Sequence, residues 1–166
     1  MKHQTENINF RRVSEDDREW VKSFTIMHWG SEKVVVHNII YYPHELEGFI
    51  ALYKSEKSGL ITFIIEQQSC EIVTLNSIVE NKGIGSSLVK LVLEETKRNN
   101  CNKLWLITSN DNIRAISFYQ KLGFQLMKVY PDAVTESRKI KPEIPLIAEN
   151  GIPIRDELEF VLYLSK

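Results

Sequence analysis

Val79-Glu80-Asn81-Lys82-Gly83-Ile84-Gly85-Ser86-Ser87-Leu88 takes the end of an apolar strand through a short polar turn and two glycines into an amphipathic helix. Glycines on either side of Ile84 let the backbone come close to a bulky anion. The residues that follow open a helix whose free N–H groups and positive dipole end face that anion. Such a turn suits phosphates, although glycines also allow a tight strand-to-helix turn that holds nothing. A nucleotide P-loop would end in Gly-Lys-Ser/Thr, whereas here Lys82 precedes Gly83 and Ser86 follows Gly85. A dinucleotide fingerprint would place a third glycine near position 88, which is Leu88.

Working outward, the preceding sequence reads as an antiparallel meander: strands over 49–53, 59–66 and 70–79, with polar turns at 54–58 and 67–69. The helix opened by the glycines runs over 86–99, with Leu88, Val89, Leu91, Val92 and Thr96 toward the sheet. A short apolar strand at 104–108 follows and, because a helix intervenes, is expected parallel to the strand ending at Val79. Asn110, Asp111 and Asn112 offer caps for a second helix through Leu122, which Gly123 stops. A strand at 124–130, a proline-rich and turn-rich excursion over 131–156, and a cleanly alternating last strand at 157–164 complete the C-terminal part.

Toward the N-terminus, residues 8–13 alternate as a strand, and Ser14 with three acidic residues begins a helix expected through Phe24. Periodicity is lost over 26–30, which reads as a loop or irregular helix end where His28 and Trp29 either wall a pocket or simply pack and solvate. Residues 34–36 and 39–42 are β-rich, and Pro43-His44-Glu45 breaks that run.

With 166 residues, 43% hydrophobic and 26% charged, the chain can bury one core and is short for two domains. A formal charge of -1 gives no general attraction for nucleic acid, so none is expected as a partner. No apolar run is long enough to cross a bilayer, and the polar start Met1-Lys2-His3-Gln4-Thr5-Glu6 lacks the apolar region of a signal peptide. The expected location is therefore the cytoplasm, with no membrane partner. Cys70 and Cys101 read as reduced packing thiols, and His3, His28, His37 and His44 lack metal-ligand spacing, so no metal is expected.

A second stretch, Asn112-Ile113-Arg114-Ala115-Ile116-Ser117-Phe118-Tyr119-Gln120-Lys121-Leu122-Gly123-Phe124, completes a pattern with the glycine turn. Together they resemble the GNAT superfamily of acyl-CoA-dependent N-acetyltransferases, whose turn is Q/R-x-x-G-x-G/A and whose later helix is N-x-x-A-x-x-F-Y-x-K-x-G-F. Every named position of the second pattern is met. The turn departs at Glu80, where the family prefers Gln or Arg, and looks about two residues short. Glu80 beside a pyrophosphate would be repulsive, so it is expected to point to solvent while Lys82 supplies the positive charge.

The likeness implies a single α/β (α+β mixed) domain over 1–166, a twisted mixed sheet of six to seven strands with helices on both faces. It implies acetyl-CoA as co-substrate, with a backbone cradle from Lys82, Gly83, Ile84, Gly85, Ser86 and Ser87. Ser77, Ile78 and Val79 would pair with the pantetheine arm like an added strand where two strands splay apart. Asn112 fits a cofactor or helix-cap role, and Tyr119 stands where the family carries its thiolate-facing tyrosine. A phenol near pKa 10 facing a thiolate near 8.5 is about 2 kcal/mol uphill for full transfer, which favours a strong hydrogen bond. Glu71 sits in a register resembling the base glutamate of histone-type members, acting directly or through water.

The function implied is acetyl transfer from acetyl-CoA to a primary amine by direct attack in a ternary complex, on a small-molecule or peptide acceptor. By analogy, the segments at 20–30 and 130–155 form the acceptor pocket, and the proline-rich excursion is a lid or a homodimer contact. A non-catalytic acyl-CoA-binding or regulatory module, or a protein or peptide N-acetyltransferase, are the alternatives.

Overall fold

The computed structural model describes residues 7–165, so His3 and the polar start Met1 to Glu6 lie outside the described residues. Strand β1 (Ile8–Arg12) leads through a single 3-10 turn into helix α1 (Arg18–Trp29). The turn is locked by Asp17, whose buried carboxylate accepts hydrogen bonds from Arg11 at 2.6 and 2.9 Å and from the Ser14 amide at 2.8 Å. Lys57 approaches the same carboxylate at 2.7 Å. These donors, Arg11 foremost, hold the Asp17 carboxyl far below its usual range.

Helix α1 does not become irregular at 26–30. It continues to Trp29 and ends on Gly30, whose φ of 74° supplies the left-handed cap. The apolar period fades there because Ile26 and Met27 lie outside the core, exposed to solvent.

A hairpin follows, β2 (Val34–Val36) and β3 (Ile39–Tyr41), turned by His37 and Asn38 at positive φ. Strands β4 (Glu47–Tyr53), β5 (Glu56–Glu66) and β6 (Ser69–Ser77) form the expected meander. Its first turn is tighter than expected, made by Lys54 and Ser55 at positive φ. Helix α2 (Ile84–Arg98), β7 (Lys103–Ser109), α3 (Ile113–Lys121) and β8 (Gln125–Tyr130) come next.

The excursion over 131–156 is not wholly extended: it holds helix α4 (Ala133–Ile140) before the last strand β9 (Glu157–Tyr163). The apolar count hides this helix, since its buried face is Val134 and Ser137, continued by Lys141.

Seven strands make one sheet in the order β1-β4-β5-β6-β7-β9-β8, with β6 and β7 parallel and every other neighbouring pair antiparallel. Alternation divides its side chains between two layers. Ala51, Ile61, Phe63, Cys70, Ile72, Leu104, Leu106 and Phe160 pack with Leu88, Val89 and Val92 of α2 and Tyr119 of α3. On the opposite face Ile50 and Leu60 pack with Val21 and Phe24 of α1. The hairpin shares this second face, because Glu71, flanked by the first-face residues Cys70 and Ile72, accepts a hydrogen bond from the Tyr41 hydroxyl.

The sheet opens between β6 and β7. They pair only at Ser69↔Lys103, Cys70↔Leu104 and Glu71↔Trp105. A register shift against β5 leaves Val73 as an extra residue between Ile72 and Thr74, and such a bulge bends the strand. Beyond it β6 stays with β5 while β7 follows β9, and the two parallel strands part.

Candidate active site

A groove of about 820 Å³ runs from the opened edge of β6 past the start of α2 to α3. Its two turn glycines differ. Gly83 sits at φ 70°, a left-handed N-cap that a side chain would strain. Gly85 has an ordinary backbone, and a Cβ there would meet the Phe118 ring at 3.4 Å, an ordinary contact, so neither strain nor crowding within the protein requires glycine. Being the first three residues of the helix, Ile84, Gly85 and Ser86 have N–H groups without intrahelical acceptors. Ser87 already donates to the Gly83 carbonyl at 3.0 Å.

Ser77 and Val79 border the groove, but Ile78 does not. The Ile78 N–H donates across to Ser58 at 2.8 Å, so antiparallel alternation turns the N–H groups of Leu75 and Ser77 toward the gap instead. The Ser77 hydroxyl donates to the Val79 carbonyl at 2.8 Å. Glu80 is solvent-exposed as expected, and Arg114, from the first turn of α3, bridges to it at 3.1 and 3.2 Å. Lys82 also borders this groove.

Where the strands part, a slot of about 230 Å³ lies between Ile72, Val73 and Asn76 on one side and Leu106 and Thr108 on the other. Tyr119 and Asn112 line both slot and groove. Tyr119 is 6% exposed, its ring edge-on to Phe118 and Phe124, and burial raises its pKa above the ordinary phenol value. A neutral phenol at this position is a hydrogen-bond donor. Asn112 caps α3 by accepting from the Ala115 amide at 3.2 Å. Over the slot, the Trp29 indole N–H donates to the Asn76 side chain at 2.7 Å and ties the end of α1 to β6.

A third hollow, about 530 Å³, lies beyond the slot and shares His28, Trp29, Thr108 and Asn112 with it. Its walls are β2, the end of β7, α4 and the chain over 143–154. That outer wall is tied down. The Arg138 guanidinium donates to the carbonyls of Ile144 at 3.1 Å and Pro145 at 2.6 Å, and also to that of Ile154. Ile147 and Pro153 form a β-bridge, and the Asn110 side chain accepts from the amides of Arg155 and Asp156 at 3.0 and 2.9 Å. The buried Lys141 ammonium donates to the Trp29 carbonyl at 2.7 Å and the Lys33 carbonyl at 3.2 Å, joining α4 to the end of α1.

Glu71 borders none of these three hollows. It is 6% exposed beneath the hairpin, and burial pushes its pKa up to about 7 against the lowering effect of the Tyr41 hydrogen bond. Tyr41, at 2.9 Å, covers it. By contrast His28 lines both slot and third hollow, and burial lowers its pKa. Among the described residues it is the imidazole that borders both hollows. Glu157, also buried, accepts from the His37 amide at 2.9 Å and lies 3.1 Å from the His37 ring.

The structure therefore brings together Tyr119, Asn112, Ser77, Val79, Lys82, Gly83, Ile84, Gly85 and Ser86, and sets Ile78, Ser87 and Glu71 apart. Reading by motif passed over Arg114, although it lies inside the second quoted stretch at an unconstrained position. It also missed Asn76, Ser137 and Glu157, which have no local signature. Among the described residues no group of three His, Cys, Asp or Glu side chains is placed to hold a metal, and no helix is long and apolar enough to cross a membrane. Cys70 and Cys101 are free, buried thiols, and burial pushes Cys70 up to about 12.

The sequence profile of the acetyltransferase (GNAT) family matches residues 11–124. Protein YdhI of Bacillus subtilis (strain 168) is 46% identical over 144 residues, 86% of this chain and 90% of that protein. N-acetyltransferase YvbK of the same organism is 30% identical over 126 residues, 74% of this chain and 78% of that protein. Among solved structures, a Bacillus subtilis acetyltransferase in complex with CoA matches with a TM-score of 0.66 at 22% identity, over 97% of this chain and all of that one, a likeness of fold.

Proposed function

The chain belongs to the acetyltransferase (GNAT) family and is an acyltransferase, and from that premise we propose that it moves an acetyl group from acetyl-CoA to an amine by direct attack in a ternary complex. The reading is carried by one observation: groove, slot and third hollow are joined in a line, with Asn112 bordering all three and Tyr119 at the first junction.

The residues present fit this co-substrate. The amides of Ile84, Gly85 and Ser86 and the positive helix end favour a diphosphate, and the outward backbone of Leu75 and Ser77 suits an extended arm laid along β6. Arg114 offsets the repulsion that Glu80 would exert, a role the family pattern gives to a residue in the turn itself. When bound, acetyl-CoA supplies an activated thioester. Backbone N–H groups on the opened edge of β6 stabilise the developing oxyanion, and the Tyr119 hydroxyl donates a hydrogen bond to the departing sulfur. Because burial raises the phenol pKa further above that of a thiol, full proton transfer stays uphill and hydrogen bonding is the working role.

The attacking amine must lose a proton. His28, which borders both slot and third hollow and whose pKa is lowered, takes it in one route. A second route ends at Glu71, favoured by that residue's raised pKa, and runs through water and Tyr41. Purified protein with labelled acetyl-CoA and an amine panel tests the proposal: we expect calorimetric acetyl-CoA binding and transfer of label to an amine. Absence of acetyl-CoA binding by folded protein overturns it.

A further inference from the structure

Resting on the acetyltransferase reading, we propose that the third hollow selects a compact amine with an apolar body and no carboxylate, and excludes α-amino acids and peptide N-termini.

Size is the first argument. A hollow of about 530 Å³ falls in the range of small-molecule pockets. Its outer wall is a bridged segment held by Arg138 and Asn110, so it is a standing wall, where an extended peptide would need an open cleft. The lining surface is more apolar than polar, with Val34, Val36, Ile107, Val134 and Ile154 beside Trp29.

Charge is the second. Asp111, Glu143 and Glu157 border the hollow, against one ammonium, Lys141. Lys141 already donates to two backbone carbonyls, and partial desolvation lowers the His28 pKa, which disfavours a second cation here. The excess negative charge attracts an incoming ammonium and repels a carboxylate. An unpartnered group adds to this: Ser137 borders the hollow, is 1% exposed, and its hydroxyl has no hydrogen-bond partner among the described residues. Buried polar atoms are ordinarily satisfied, so a ligand polar atom at Ser137 completes the site.

Phenethylamine and phenylalanine differ by the carboxylate alone and make the direct test, with the free-amine tetrapeptide Ser-Ala-Leu-Phe as a third arm. Turnover with saturating acetyl-CoA is expected to favour phenethylamine over phenylalanine by at least about 100-fold in kcat/KM, with the peptide inert. Comparable turnover of phenylalanine overturns the proposal and makes Lys141 a carboxylate anchor; a preferred peptide overturns it in favour of an open cleft. Turnover of neither amine, with acetyl-CoA bound normally, also overturns it, whereas loss of acetyl-CoA binding defeats the underlying reading instead. Ser137→Ala removes the hydroxyl and adds no bulk at this buried position. It is expected to cut the thermal stabilisation given by phenethylamine at fixed concentration while leaving acetyl-CoA affinity as it was. Unchanged stabilisation by the amine removes Ser137 from the site.

Discussion

The two ends of the line of hollows are built by different means. At the proposed cofactor end, backbone does the work: free amides of α2, a left-handed Gly83, and a strand edge exposed by the Val73 bulge. At the proposed acceptor end, side chains from α1, β2, β7, α4 and the 143–154 segment converge, and each contributes only one or a few groups. A ligand shared by a whole family can be held through main chain, which sequence drift leaves in place. A ligand particular to one branch requires side chains, which drift freely.

Tyr119 stands between the two ends, and its removal is the hardest test of the division. Tyr119→Phe keeps the ring packed against Phe118 and Phe124, so we expect kcat to fall about 100-fold, roughly 2.7 kcal/mol, with calorimetric acetyl-CoA affinity unchanged. A parallel fall in affinity would make it a wall of the cofactor end alone.

Glu71→Gln comes next. Burial raises the Glu71 pKa from 4.5 to about 7, so the folded state holds this proton more tightly than the unfolded chain. The associated stability is complete below about pH 4.5 and is lost as pH rises through about 7. Glutamine mimics the protonated form, so the variant is expected to gain about 3 kcal/mol, several degrees in Tm, at pH 8 and almost nothing at pH 4.5. Turnover measured alongside assigns the proton: a large loss points to Glu71, and little change leaves it with His28.

Arg138→Ala releases three carbonyls of the outer wall. We expect the KM for an accepted amine to rise about 10-fold, near 1.4 kcal/mol, with acetyl-CoA affinity intact. An equal rise in both constants would mean that the two ends are not independent.

The mildest probe is Arg114→Ala, which should weaken acetyl-CoA binding about 5-fold in low salt, with the difference shrinking as salt is raised. Glu80→Gln should act in the opposite sense by about 2-fold. Both side chains are largely exposed, which keeps these effects small.

The same division explains what could be read from the chain alone. The cofactor end was legible because the needs of the backbone dictate residue types at fixed spacing: glycine where φ is positive, asparagine where α3 begins, glycine where it ends. The meander and its partner strand followed from alternation and from the helix between them. At the other end, the segments 20–30 and 130–155 expected there by analogy do line the third hollow, but β2 and the individual side chains were not legible, since these parts meet only through long-range packing. Helix α4 buries a valine, a serine and a lysine, a face that carries no apolar period. The end of α1 projects Ile26 and Met27 into solvent, which erased its period just where Trp29 closes the slot. Glu71 reads as a solvated strand start until the hairpin carrying Tyr41 folds across it.

One consequence follows from the position of β9. It inserts between β7 and β8, so neither has its full set of ladder partners until that strand arrives, and Phe160, fully buried, is missing from the core until then. Closure of the sheet thus waits on a contact remote in sequence, which slows folding and leaves two unpaired edges open to association in the interim. Expression at low temperature or with reduced synthesis rate is expected to raise the yield of monodisperse protein for this reason.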